Sequence, residues 1–588
     1  MDPAPLPAPR ALLYLMLAGL LARVIYLQQV AGLPFFHDPV GDSALYLERA
    51  REILDGRFLP DGPFFYGGIL YPWVLAGSAL LFGANLYPVV LLQACLGCLT
   101  AWLMHRLVLA ASLDPGMPEA RAAALAAAAG ALFYGPFAFL EADILMVSWT
   151  LPLVTGAALL MMRAVRSGAG ATPWRGAALL WWAGVALGLT ATERPNLALL
   201  IPCAAAWTWI VLPPGRRREA AALAAAALAV LAGIAAMNRA ASGRWVLLTT
   251  SAGINFYIGN HAGASGTFDE PWSGTDRAFA ARETDLRRAG VQMARRLSGR
   301  ELDEVEASRF WLARGWEWIA SNPGDAGRLY ARKLALLWNA REVPNHLHFG
   351  FLREAAPALW LMPLGFAVAA PLGLYGLLSP AVRRTRARGG SSLLALFTAA
   401  PMLSVLPFFV ADRYRIAVVP ALVAASGPAV VRLAGLLASR ATRPGGVLRS
   451  GLVAAAAAVS LAPMGETDRS RDYWLMAQAL KKQGRLEEAI SWYSKASAAS
   501  PRDSALRNNL GVALMQSGQH ARAEEEFRKA IAAEPDLPLP HKNLGLLLLR
   551  AGRTAQAIES LRRSDALQPG DPEVAAALSA AGSARPSP

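Results

Sequence analysis

The chain has 588 residues, 55% hydrophobic and 17% charged, against about 45–50% and about 25% in ordinary soluble domains. Those proportions, with 51 Gly and 40 Pro, exclude a disordered chain, a collagen-like fibre and a cytosolic enzyme, and they fit a polytopic membrane protein. The net charge of +15 does not mark a nucleic-acid partner: most of the excess falls in the first 465 residues, as arginine clusters between apolar runs with Lys333 the only lysine, which is the positive-inside pattern.

In chain order, Arg10 precedes an apolar run over residues 11–30, which reads as a signal anchor with its N-terminus in the cytoplasm. Further apolar runs follow at 86–110, 121–138, 144–162, 176–192, 196–213, 219–238, 357–378, 391–410, 416–438 and 446–463, about 11 spans in all. Ile69–Phe82 is apolar too, but it is short and contains Pro72. If it crossed the membrane, the clusters at Arg163–Arg166, Arg216–Arg218 and Arg383–Arg388 would face outward. The charge rule therefore places it at the outer surface as an interfacial or re-entrant segment. The outer side then holds a first loop (31–85), short turns at Glu141, Glu193–Pro195 and Ala411–Arg415, a large loop (239–356), and everything after the last span. Cys95, Cys98 and Cys203 all lie inside apolar runs and suit small-residue packing rather than disulfide or zinc chemistry.

Past the membrane region a 34-residue period sets in, over 471–504, 505–538 and 539–572. Ala477, Gly511 and Gly545 recur at that spacing, as do Gly484, Gly518 and Gly552, and Pro501, Pro535 and Pro569. A helix–turn–helix period of that length with small residues at the crossing is the tetratricopeptide signature. The following residues from Pro572 read as a capping helix. The repeats carry no catalytic cluster, and their expected work is to hold a protein or peptide partner.

Ionisable groups at a membrane boundary cost free energy and so mark candidate sites. Asp42 precedes an amphipathic helix, where it reads as an N-cap on local grounds. Glu141 and Asp143 are two acids in a short turn with no basic neighbour, either exposed or facing a cavity. Arg194, Arg413 and Arg415 sit on the outer side against the charge bias. Guanidinium matches phosphate bidentately, and a lipid phosphate would supply the reason for their placement. Arg23 lies inside the first span. The large loop is rich in aromatic residues around Asn255, Tyr257, Trp272 and Trp338.

Together these residues resemble the GT-C superfamily of membrane glycosyltransferases. The likeness rests on Asp42, Tyr46 and Ala50 in the first loop, on Leu70-Tyr71-Pro72-Trp73 through Leu81-Phe82-Gly83, and on Glu141 or Asp143. It rests also on Arg194-Pro195-Asn196, Arg413-Tyr414-Arg415 and Ser251–Asn260. Where the aminoarabinose transferases of that family carry a Lys-Pro-Pro run, this chain has Tyr66-Gly67-Gly68. The resemblance implies an all-α, GT-C-like membrane domain over 1–465, followed by a tetratricopeptide solenoid over 466–582 and a tail over 583–588. It further implies a polyprenyl-phosphate-linked sugar donor, an extracytoplasmic acceptor and an inverting displacement. Arg194, Arg413 and Arg415 would bind the donor phosphate, and Asn255 and Tyr257 the substrate. Asp42 would act as base, with Glu141 or Asp143 orienting the acceptor or, with Asp42, holding Mg or Mn. The sequence offers no complete metal ligand set. Low lysine with abundant alanine and arginine suggests a GC-rich bacterial genome, and the expected location is the bacterial inner membrane. Two other readings remain open at this point: a non-catalytic scaffold for an envelope complex, and a lipid-linked-sugar transporter or flippase, which predicts inverted repeats and mid-span charges.

Overall fold

The computed structural model describes residues 8–37, 39, 41–167, 173–268, 286–344, 347–438, 454, 457–458, 460–462 and 468–583. Every regular element among them is a helix. The chain forms two compact units. One comprises Met1–Ala31, Val40–Asn345 and Leu352–Met464, and the other Gly32–Pro39, His346–Phe351 and Gly465–Pro588.

In the first unit five helices are long and apolar enough to cross a membrane, within Arg10–Ala31, Tyr87–Ala111, Val147–Arg166, Pro214–Ser242 and Asp412–Gly435. Shorter apolar helices cover Tyr71–Phe82, Pro195–Val211, Phe366–Leu378 and Gly390–Val405. The 121–138 run divides into Pro118–Leu132 and Gly135–Glu141, and most of the 446–463 run lies outside the described residues. The helices pack closely because their facing residues are small. Ala124, Ala127, Ala183 and Ala425 are fully buried, and a side chain at Gly184 or Gly376 would collide with the carbonyl of Leu223 or Ala425. In an apolar solvent such close van der Waals approach is what holds helices together. The Tyr71–Phe82 helix has only 12 residues, and Leu80, Leu81 and Phe82 at its end are exposed.

The described part of the large loop forms its own small helical layer: Ala252–Gly259, Leu286–Ser298, Glu304–Ser321 and Pro323–Trp338. Asp303 and Glu306 close a capping box at the start of the third of these helices. Ile254, Ile258, Met293, Trp311 and Phe409 form the core of the layer. Lys333, fully buried, donates to Asn260 Oδ1 at 3.3 Å and the Leu406 carbonyl at 3.1 Å, so the layer is fastened to the chain that leads into Ala411–Arg415.

In the second unit the helix pairs follow the 34-residue period: Ser470–Lys482 with Leu486–Ala499, Ser504–Gln516 with His520–Ala533, and Pro538–Arg550 with Thr554–Leu567. Pro572–Ser583 closes the stack. Gly484, Gly518 and Gly552 turn each pair at φ 76, 82 and 73°, where L side chains are strained. The same unit takes in residues from both long loops, 31–85 and 239–356. Phe351 stands 6.0 Å from the rings of both Tyr473 and Trp492 and 6.4 Å from Phe35. The backbone N–H of His348 donates to buried Asp472 at 3.0 Å.

Candidate functional site

The Asp42–Leu54 helix carries the first part of the site. Gly41, at φ 63°, occupies the N-cap position, and Asp42 is the first helical residue with no capping hydrogen bond. The N-cap reading of Asp42 is thereby corrected. A glycine makes the turn, and the carboxylate is left for another partner, the guanidinium of Arg413. One turn on, the Tyr46 ring packs edge-on against Tyr71 at 5.5 Å. Burial and the neighbouring Asp42 carboxylate hold the Tyr46 hydroxyl well above its usual pKa, so it stays protonated.

The next part comes from Glu193 and Arg194, just beyond the 176–192 span. The first loop folds back on them: Gly68 N–H donates to the Thr192 carbonyl at 3.2 Å and Leu70 N–H to Glu193 Oε1 at 3.2 Å. A Cβ at Gly67 would lie 2.5 Å from the Glu193 carbonyl oxygen, which gives the Gly67-Gly68 pair its physical reason. The Arg413–Tyr414 turn supplies the last part. The Tyr414 ring has the Arg194 guanidinium 5.3 Å from its centroid and that of Arg413 at 5.2 Å.

These pieces enclose a cavity of about 400 Å³ whose walls include Asp42, Tyr46, Glu193, Arg194, Asn255, Arg413 and Tyr414. Arg194 is 2% exposed, and among the described residues its guanidinium has no hydrogen bond or ion pair. Burial, and then the adjacent Arg413, push it down to about 10, so it remains a cation at neutral pH. Glu193 is 3% exposed, and its Oε2 has no partner among the described residues. Burial raises its carboxyl to about 7, against the Leu70 N–H and Arg194, which lower it. A larger cavity of about 830 Å³ shares Tyr46, Tyr66 and Gly67 with this one. Several of its charges are paired with each other, as in Arg49–Glu52 at 2.6 Å and Arg244–Asp303 at 2.6 Å. In the smaller cavity the unpartnered groups, Arg194 and Glu193 Oε2, are buried, so a ligand that supplies their partners gains by it.

The other sequence candidates lie elsewhere. Glu141 is 2% exposed and takes Arg23 Nε on Oε2 at 2.7 Å, so it does not line the cavity. Asp143 does not line it either, but its Oδ1 accepts from Ser43 Oγ at 2.8 Å and steadies the helix turn that bears Asp42. Arg415 pairs with Glu342 and the Asn339 carbonyl, and its guanidinium is already engaged away from the cavity. Asn255 lines the cavity, whereas Tyr257 packs at 4.7 Å on Trp311 in the loop layer. Trp338 meets Phe366 edge-on at 6.0 Å, and Trp272 lies outside the described residues. As for a metal, Asp42 and Glu141 are each engaged by an arginine, and no cluster of three ligating side chains stands among the described residues. The pair Asp42–Glu141 thus does not fit a divalent ion. Sequence reasoning missed Glu193, although it adjoins Arg194. It also missed Gln93, a polar residue inside an apolar helix that donates to the carbonyls of Glu141 and Asp143 at 2.7 and 2.8 Å.

Tetratricopeptide repeat models match residues 475–538 and 514–581, and the C-terminal helices are tetratricopeptide repeats. No curated protein matches the sequence. Among solved structures, the chain is similar to the archaeal oligosaccharyltransferase AglB from Archaeoglobus fulgidus, in complex with an inhibitory peptide and a dolichol-phosphate. The identity is 14%, over 81% of this chain and 59% of that one, with a TM-score of 0.36. It is similar also to ArnT from Cupriavidus metallidurans bound to undecaprenyl phosphate, at 15% identity over 72% of this chain and 79% of that one, TM-score 0.33. The first tetratricopeptide domain of human RPAP3 is 22% identical over 19% of this chain and 89% of its own, TM-score 0.19.

Proposed function

We propose that the chain is an integral membrane glycosyltransferase that moves a sugar from a polyprenyl-phosphate-linked donor to an extracytoplasmic acceptor. The observation that carries this reading is Arg194. A buried guanidinium without an anionic partner is costly, and it stands beside a second arginine on the wall of a closed-in cavity. Two guanidiniums in one cavity fit the phosphate of a donor, and they stabilise the charge that grows on it as the sugar leaves. Asp42 belongs to the same wall. Held by Arg413, its carboxylate is a hydrogen-bond acceptor fixed on the wall, so its role is to orient the acceptor hydroxyl. The experiment is transfer by the purified full-length protein, in lipid nanodiscs, from a panel of radiolabelled polyprenyl-phosphate sugars to envelope fractions. Labelled product from at least one donor is expected, and none from any of them would overturn the reading.

The repeats serve partner or acceptor recruitment on the extracytoplasmic side. Their first helices pack on residues of both long outer loops, Phe35 and Phe351, which the arginine distribution assigns to that side. Protease added outside sealed spheroplasts is expected to degrade the repeats. Full protection there, with degradation only after lysis, would place them in the cytoplasm.

A further inference from the structure

Resting on the glycosyltransferase reading, we infer that Glu193 is the group that takes the proton from the acceptor hydroxyl, while Asp42 stays paired with Arg413. Two carboxyls belong to the cavity wall, Asp42 and Glu193. Proton removal needs an acceptor lone pair that no cation already holds. Asp42 has its Oδ2 on the Arg413 guanidinium, and a cation held there disfavours protonation of the carboxylate. Glu193 keeps Oε1 on the Leu70 N–H at 3.2 Å and leaves Oε2 buried and unpartnered among the described residues. The third candidate, the Tyr46 hydroxyl, is buried and stays protonated.

The charged and titratable groups around Glu193 come from four elements: Arg194 beside it, Asp42 and Tyr46 on the first-loop helix, Tyr71 on the short apolar helix, and Arg413. With a phosphate on Arg194 and Arg413, Glu193 is the carboxyl of the cavity wall that has an oxygen without a partner among the described residues. The step balances. The acceptor O–H bond breaks and its proton goes to Glu193 Oε2, the acceptor oxygen bonds to the anomeric carbon, and the bond from that carbon to the phosphate oxygen breaks. The electron pair leaves on the phosphate, where Arg194 and Arg413 meet the charge. A carboxyl that titrates near neutral pH is matched to this task, since about half of it is deprotonated at neutral pH and it is still basic enough to accept.

The test is Glu193→Gln in the full-length protein, which keeps the volume and the Leu70 hydrogen bond. Turnover is expected to fall about a hundredfold, with donor affinity, read by direct binding, unchanged within about threefold. Wild-type kcat/KM is expected to rise with pH through about 7, because Glu193 must be deprotonated to act, and Glu193→Gln is expected to lose that limb. Glu193→Asp, which restores a carboxylate on a shorter arm, is expected to recover part of the rate and the limb. A Glu193→Gln enzyme that turns over within threefold of wild type with the limb intact overturns this assignment alone. A wild type without transfer from any donor overturns the parent reading and this assignment together.

Discussion

Replacement of Arg413 by alanine is expected to lower sugar transfer about a thousandfold, and replacement of Arg194 about a hundredfold. The range follows from what a preorganised donor to a developing oxyanion contributes, about 100- to 1,000-fold for one group. Arg413 stands at the upper end because it has two tasks. It faces the cavity where the phosphate is proposed to bind, and it holds Asp42 through an ion pair of low exposure. Without it, the Asp42 carboxylate loses the guanidinium that fixes it, and the acceptor hydroxyl loses its orienting group. Arg194 has no second task, since among the described residues only the Tyr414 ring engages its guanidinium. The two variants therefore differ in how they respond to Asp42→Asn. Added to Arg194→Ala, that change should cost a further large factor. Added to Arg413→Ala, it should cost little, because the damage is shared. Arg413→Lys is expected to rescue only in part, since a point charge cannot serve carboxylate and phosphate at once. Single-turnover rates measured on protein of unchanged melting temperature check this. Full additivity of Arg413→Ala with Asp42→Asn would show that the ion pair has no part in the reaction.

The repeats were legible because their signal is periodic. Gly484, Gly518 and Gly552 recur at a fixed spacing, and each turns a helix pair at positive φ. Arg194 and Arg413 stood out for another reason: the charge rule puts them on the outer side of an otherwise positive-inside chain, and an exception to an energetic rule carries information. The same reasoning misplaced Glu141 and Arg415. Cost identifies a group that needs a partner but does not say which partner it has. Glu141 has Arg23, more than a hundred residues away, and Arg415 has Glu342, and neither pairing has any trace in local sequence. Glu193 was overlooked for the converse reason. Next to Arg194 in the chain it reads as a local ion pair, and only the fold shows that Leu70 holds one of its oxygens and nothing among the described residues holds the other. Gly67-Gly68 read as a departure from a familial pattern. In the structure it is the close approach of the first loop to Glu193 that requires glycine there.

Removal of either partner of the Arg23–Glu141 pair is expected to cost about 3–5 kcal/mol of stability, and removal of both far less. Arg23 is 1% exposed. Its Nε meets Glu141 Oε2 at 2.7 Å, its Nη2 meets Oε1 at 3.3 Å, and its Nη1 donates to the Leu132 carbonyl at 2.6 Å. The fold is shaped to admit this pair. Gly97 faces Glu141 so closely that a Cβ there would collide with Oε1, and Gln93, itself held by the Tyr71 hydroxyl at 2.7 Å, binds the Glu141 carbonyl. Glu141→Leu leaves a guanidinium with no anion in an apolar helix bundle, and Arg23→Met leaves a carboxylate likewise. The double variant replaces the charges by apolar groups of comparable length, so the uncompensated term vanishes and only the fit remains. Because Gln93 also binds the Asp143 carbonyl, and Asp143 holds Ser43 beside Asp42, the single variants should lose activity in step with folded protein. In the double variant, activity per folded molecule should return. Unfolding half-lives of the detergent-solubilised protein distinguish the cases. A double variant no more durable than the worse single one would mean that the pair contributes through its charge, as a site, and not as a structural tie.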